Sequence, residues 1–422
     1  MIASTGRQPR RALSGMMAVT CVVALCTTAH AGVAPPFAAL LRQTANAPRL
    51  AASEADIRRA EGLSEQAHAR PNPTVSVQTE NVAGSQPYRG FDRAETTLQY
   101  SQPIEIGGKR SARIAAGEAG VTAARVRDRD ARIGFAYDLA RAYAAAEIAD
   151  RRVTLAEDEV EEGQNDLGAA RALVDAGKEA RLRALQAESS LNAASAELET
   201  AKAACIAALA RLSALAGIDE PYSGLSESLL DRPARAPMFG PVDPSASTTY
   251  LAALADRDAA ERRLVVERKH AIPNVTASIG MRRLEFEKAN AVVGGISIPL
   301  NIFDRNRGNI AASRAEVQAA DARAAMAKND ARAESLTVQA ELAAVGKRVA
   351  AADTAQAIAE ETYRLARIAY EAGKAPLIEL LAARHGLGLA RGTVLDARTA
   401  RFEAQARFAR LQGRTIFGDP IQ

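Results

Sequence analysis

Metal ligation, proton transfer and nucleophilic attack draw on histidine, cysteine and paired carboxylates, and this sequence keeps such residues apart. Beyond residue 31 it holds His68, His270 and His385 and one thiol, Cys205, with no close His/Cys pairing of the kind a tight metal site needs. No nucleophile elbow, HExxH, phosphate-binding loop or dinucleotide fingerprint occurs. Neither an enzyme nor a cofactor is expected. Carboxylates do cluster, at Glu157, Asp158, Glu159, Glu161 and Glu162. Such a run is most often a solvated helix face and less often the cation-attracting wall of a passage.

The element carrying those acids organises the whole chain. Lys109 to Val174 reads as a single helix of roughly 66 residues, on the order of 100 Å long at about 1.5 Å per residue. Leu139, Ala146, Val153, Val160, Leu167 and Val174 recur every seventh residue, with Ala142, Ala149, Ala156, Gly163 and Ala170 three positions after the first five. This is a coiled-coil seam whose second line is small enough for close helix approach. A rod or tube is implied, because an ordinary domain is only about 30 to 40 Å across.

The chain has 422 residues, 25% charged and 48% hydrophobic, without tryptophan. Past the N-terminus no apolar run reaches the roughly 18 residues of a membrane-spanning helix. Arg7, Arg10 and Arg11 precede an apolar run from Leu13 to Leu25 and then Ala29-His30-Ala31, the pattern of a secretory signal cleaved before Gly32. Its removal takes 54 basic residues to 51 against 50 acidic ones, so the isoelectric point near 9.0 carries no nucleic-acid signal. Of the cysteines only Cys205 would remain, and no intrachain disulfide can form.

An Ala-rich helical segment, Phe37 to Ala69, ends at Arg70-Pro71-Asn72-Pro73. Strand-like alternation follows over Thr74 to Glu80 and Glu95 to Ile104, with loop residues between. After Gly107-Gly108 comes the long helix, a turn at Asp175-Ala176-Gly177-Lys178, and a returning helix of about Glu179 to Ala216.

The order then recurs at a constant offset of 196: Pro103 falls on Pro299, Ile114-Ala115-Ala116 on Ile310-Ala311-Ala312, Ala176-Gly177-Lys178 on Ala372-Gly373-Lys374, and Gly217 on Gly413. Upstream, Pro73 and Pro273 are 200 apart, so the strand loops should differ by about four residues. Residues 1–31 are the expected leader, 32–217 and 244–414 the repeats, 218–243 a linker against the outside of the helical body, and 415–422 a tail. Four strands long enough to cross an outer membrane cannot close a barrel, and an open sheet edge is intolerable in lipid. Several chains must pool their strands.

These features resemble the TolC-type outer-membrane efflux proteins along nearly the whole mature length. The likeness rests on the repeat, on Ala69-Arg70-Pro71-Asn72-Pro73-Thr74 and on the two Gly-Lys turns. Pro103-Ile104-Glu105-Ile106-Gly107-Gly108-Lys109-Arg110 and the run Pro299 to Gly308 are similar to the CzcC branch, the outer-membrane components of heavy-metal RND exporters. The resemblance implies a mostly α chain with a membrane β-barrel part. Three chains would form a twelve-stranded β-barrel continued by a twelve-helix α-barrel closed at its far tip. Implied partners are two further copies, a periplasmic adaptor, an inner-membrane RND pump and outer-membrane lipids.

The family also implies site residues. Ala176, Gly177, Lys178, Ala372, Gly373 and Lys374 would dock tip-to-tip onto the adaptor, unless the glycines serve only as helix caps. Glu379 stands where the family carries an acidic ring that narrows the tip. The second acidic position of the family is Ala382 here, and the basic one after the turn is Ala375. By the repeat arithmetic Arg183 lies opposite Glu379. An ion pair tightening the constriction, with Tyr370 as a hydrogen-bonding neighbour, stands beside the alternative of a solvated pair worth under about 1 kcal/mol. Two departures concern anchoring. Cys21 and Cys26 lack the preceding small residue that lipidation needs, and Tyr88, Phe91, Tyr100 and Phe286 are the only ring residues in or near the strands. Rival readings are a periplasmic coiled-coil structural protein and a same-fold channel for drugs or type I secreted polypeptides.

Overall fold

The computed structural model describes residues 32–231, 243–419 and 421; the expected leader and residues 232–242 of the linker lie outside them. β1 (Val33–Ala34) leads into α1 (Phe37–Gln43), a single 3-10 turn and α2 (Pro48–His68). The one helix expected over Phe37 to Ala69 is therefore two. Ala47 is extended at ψ 146°, as a residue before proline must be, and Pro48 then opens the second helix where its missing N–H costs nothing.

β2 (Thr74–Glu80) and β3 (Glu95–Ile104) precede α3 (Lys109–Asp175), a helix of 67 residues, and α4 (Arg181–Ala216). After β4 (Gly224–Leu225) the second repeat supplies α5 (Thr248–His270), β5 (Val275–Leu284), β6 (Ala289–Ser297), α6 (Arg307–Glu371, 65 residues) and α7 (Leu377–Leu411). The strand hairpins differ more than the offset suggests. Residues 81–94 join β2 to β3, whereas 285–288 join β5 to β6, because in the repeat alignment β5 runs on past the end of β2 and β6 begins before the start of β3.

The large sheet runs β2-β3-β5-β6, antiparallel throughout, leaving β2 and β6 as unpaired edges. Register sorts its faces. Val75, Tyr100, Ile279 and Gly294 share one rung, and Val77, Leu98, Met281 and Val292 the next on the same face. Their side chains are exposed, Val75 at 68% and Val292 at 76%. The opposite face is mostly polar or small: Ser76, Gln99, Gly280 and Val293 share one rung, and Gln78, Thr97, Arg282 and Ala291 the next. An apolar exterior and a polar interior are what a membrane barrel wall requires.

α3 packs against α4 and α6 against α7, giving two long hairpins, while α2 and α5 lie along α3. Each long helix ends in a Schellman turn. Lys178 N donates to Leu173 O at 2.9 Å and Gly177 N to Val174 O at 3.0 Å, with Gly177 at φ 68°. Lys374, Ala369, Gly373 and Tyr370 repeat the arrangement, with Gly373 at φ 69°. The small line of the α3 seam is buried at Ala149, Ala156, Gly163 and Ala170.

Midway along the hairpins lies the main core, where Phe37, Leu40, Leu139, Tyr143, Leu212, Leu230 and Phe402 join the N-terminal segment to both repeats. The described half of the linker is part of it. Glu147, 5% exposed, accepts from Leu229 N at 2.7 Å, Leu230 N at 3.2 Å and Ser228 Oγ at 2.6 Å. Arg401 donates to Leu230 O at 2.6 Å from α7.

Candidate functional site at the helical tip

Both turns leave the helical body at one end. Ala176, Gly177, Lys178, Ala372, Gly373 and Lys374 are all exposed there. Beside them the repeat-related Leu182 and Ile378 are 59% and 64% exposed. Each stands in the first turn of a returning helix, Leu182 on α4 and Ile378 on α7.

Arg183 and Glu379 do not meet within one protomer. Arg183 Nε lies 3.9 Å from Glu179, and its Nη1 donates to Gln186 at 3.0 Å. Glu379 is exposed in the first turn of α7. Tyr370 is fully buried between the hairpins rather than at the surface, its hydroxyl without a hydrogen-bond partner inside the protomer. Burial, followed by the neighbouring Glu179 charge, pushes that hydroxyl's pKa up.

A polar cluster that the sequence reading passed over lies above the turns. Tyr363 on α6 donates to Asp166 Oδ1 on α3 at 3.2 Å, Arg384 Nη1 on α7 donates to Asp166 Oδ2 at 3.0 Å, and Arg384 Nη2 donates to Ser190 Oγ on α4. All four long helices contribute one residue. The Asp166 and Arg384 side chains are 0% and 9% exposed, inside a shell of Leu167, Ala170, Leu377, Leu380 and Leu387. Burial, ahead of the attraction of Arg384, pushes the Asp166 carboxyl above its ordinary range. Gly163 makes room, since a methyl there would stand 3.1 Å from Arg384 Nη1 and 3.3 Å from Leu191.

One signal for this cluster was present in the sequence. Leu377, Leu380, Arg384, Leu387, Arg391 and Val394 follow a three-four spacing along α7, so two guanidinium groups interrupt an apolar stripe. Arg391 Nη1 approaches Glu162 at 3.0 Å and Asp158 at 3.8 Å on α3. The acidic run is therefore divided: Asp158 and Glu162 turn toward α7, while Glu157 and Glu161 are exposed. His68, His270, His385 and Cys205 stay dispersed, and among the described residues no group of three or more His, Cys, Asp or Glu is arranged to hold a metal ion.

The arrangement ties the four long helices together and leaves two turns exposed at one end. Residues 41–218 and 247–414 match the family model described as outer membrane efflux protein. Over 390 residues the chain is 39% identical to the nickel-cobalt-cadmium resistance protein NccC of Alcaligenes xylosoxydans xylosoxydans, covering 92% of this chain and 89% of that one. It is 30% identical over 382 residues, 86% of each chain, to the cobalt-zinc-cadmium resistance protein CzcC of Cupriavidus metallidurans. The crystal structure of the outer membrane protein VceC from Vibrio cholerae shares its fold, with a TM-score of 0.72 over 91% of this chain and 96% of that one at 19% identity.

Proposed function

The chain belongs to the outer membrane efflux protein family, and we propose that it forms the exit duct of a tripartite heavy-metal efflux system. Three copies join sheet edge to sheet edge into a twelve-stranded barrel, and their helices continue it as a twelve-helix tunnel across the periplasm. Conduction is passive and no catalytic step is involved. The observation that carries this reading is the β2-β3-β5-β6 sheet, with one apolar face, one polar face and two bare edges. In lipid each unpaired backbone group costs several kcal/mol, so neighbouring copies must cover the edges. The cargo class, heavy-metal cations, rests on likeness to relatives whose names carry nickel, cobalt, zinc and cadmium resistance.

At the other end, the exposed turns at Gly177 and Gly373 are the docking points for a periplasmic adaptor, which links the duct to an inner-membrane RND pump. Exposure of all six turn residues and of Leu182 and Ile378 supports this. Glu379 from three copies narrows and charges the entrance.

Membrane fractionation and cross-linking of detergent-extracted protein test the assembly: trimer in the outer membrane is expected, and monomer alone would overturn it. Deletion in the host tests the cargo, with greater sensitivity to nickel, cobalt or cadmium expected. Unchanged metal tolerance with new drug sensitivity, in a strain without a second copy, would move the duct to a drug exporter.

A further inference from the structure

The polar face of the sheet is almost uncharged along its length. By register, Glu80, Glu95 and Arg282 lie on that face, and every other strand residue on it is uncharged. All three sit at the end of the sheet farthest from the long helices. Glu80 closes β2, Glu95 opens β3, and Arg282 is two residues, or about 7 Å, from the end of β5. The adjoining loops do not add a sign of their own. Arg89, Asp92 and Arg93 in one and Glu285, Glu287 and Lys288 in the other sum to zero, and Arg283, on the opposite face of β5, pairs with Glu285 at 3.2 Å.

Arg282 is fixed across three strands. Its Nε donates to Thr97 Oγ1 at 3.0 Å, its Nη1 to Glu95 Oε2 at 3.0 Å, and its Nη2 stands 3.6 Å from Glu80 Oε2. One guanidinium thus faces two carboxylates of the neighbouring rung on the same face, leaving one net negative charge per chain across the two rungs. Resting on the exit-duct reading above, we propose that Arg282, Glu80 and Glu95 set the charge preference of the outer mouth, a weakly cation-favouring ring that Arg282 holds below full strength. The chemistry suits a cationic cargo. A ring with both carboxylates free would retain divalent ions at the point of release, whereas a half-neutralised one attracts them and lets them go.

Purified protein in planar bilayers tests this with hexaamminecobalt(III) added on the side of the strand loops. Arg282→Gln doubles the net negative charge per chain, and block is expected at about three- to tenfold lower concentration. Glu80→Gln combined with Glu95→Gln reverses the sign, and block is expected to weaken by about the same factor. Arg282→Lys keeps the charge while changing the geometry and should match the parent. Block unchanged in both charge variants, or Arg282→Lys behaving as Arg282→Gln, would overturn the ring while leaving the duct intact. A parent that conducts nothing would overturn the duct and the ring together.

Discussion

Arg384 and Asp166, 218 residues apart in the chain, form a buried ion pair at 3.0 Å that joins the second helical hairpin to the first. Desolvating two charges costs several kcal/mol, which their attraction and the bonds from Tyr363 and to Ser190 offset. Removing one partner strands the other. Asp166→Leu or Arg384→Leu alone should destabilise the folded chain by about 3 to 5 kcal/mol, and the double variant should recover most of the loss. Thermal melts of the detergent-solubilised protein read this directly; equal loss in the single and double variants would show that the pair ties nothing together.

The same carboxyl gives a pH dependence. Burial holds the folded pKa of Asp166 above its unfolded value. A raised carboxyl binds its proton more tightly when folded, so its contribution is fully present below the unfolded value and is lost as pH rises through the folded one. Relative to Asp166→Asn, which cannot titrate, the parent should lose stability as pH climbs from about 4 through that window and run parallel on either side. A parallel course throughout would place the Asp166 carboxyl in its ordinary range.

Local periodicity made much of this fold legible. The seam from Leu139 to Val174 gave α3 to within a residue, and the 196 offset carried Gly177 onto Gly373 and Gly217 onto Gly413, all four in the left-handed conformation. Alternation located β2 and β3 at the bounds observed. Partners of charged residues were not legible. Asp166 precedes the seam residue Leu167 and reads as solvated until α7 of the other repeat is laid against it. Arg183 was matched to Glu379 by symmetry, but repeat-related positions lie at equivalent places on different hairpins, and within a protomer helical proximity gives Arg183 to Glu179. Pro48 holds Ala47 out of the helical region, so the break between α1 and α2 is written in the sequence itself.

The linker should depend on one carboxylate. Glu147 satisfies the buried N–H groups of Leu229 and Leu230 and the hydroxyl of Ser228. Glu147→Ala would leave the two N–H groups unpaired, at about 1 to 3 kcal/mol each if they stayed buried, while Ser228 Oγ keeps Asp231 as an acceptor. Undocking costs less, so the segment should release from α3 and α7. Limited proteolysis is expected to cut within residues 224–231 in the variant and not in the parent; matching digestion patterns would mean that Leu229 and Leu230 hold the segment by packing alone.

The entrance offers the last test, because Glu379 and Arg183 have opposite charges at repeat-related positions beside the turns. Glu379 is exposed and Arg183 half-buried within the protomer. If three copies gather these helix starts around one axis, the six side chains share a narrow, partly desolvated opening where charges act more strongly than on an open surface. Glu379→Ala should raise single-channel conductance and lower cation preference, since three carboxylates leave the axis. Arg183→Ala should also raise conductance by breaking contacts between neighbouring hairpins, but with increased cation preference, since only positive charge is lost. The local Glu179 contact makes the second effect the smaller one, because that carboxylate already screens the guanidinium. Reversal potentials under a salt gradient give the sign in each case. Parent-like conductance and selectivity in both variants would place the two residues on a solvated face and leave the constriction to another ring of the tunnel.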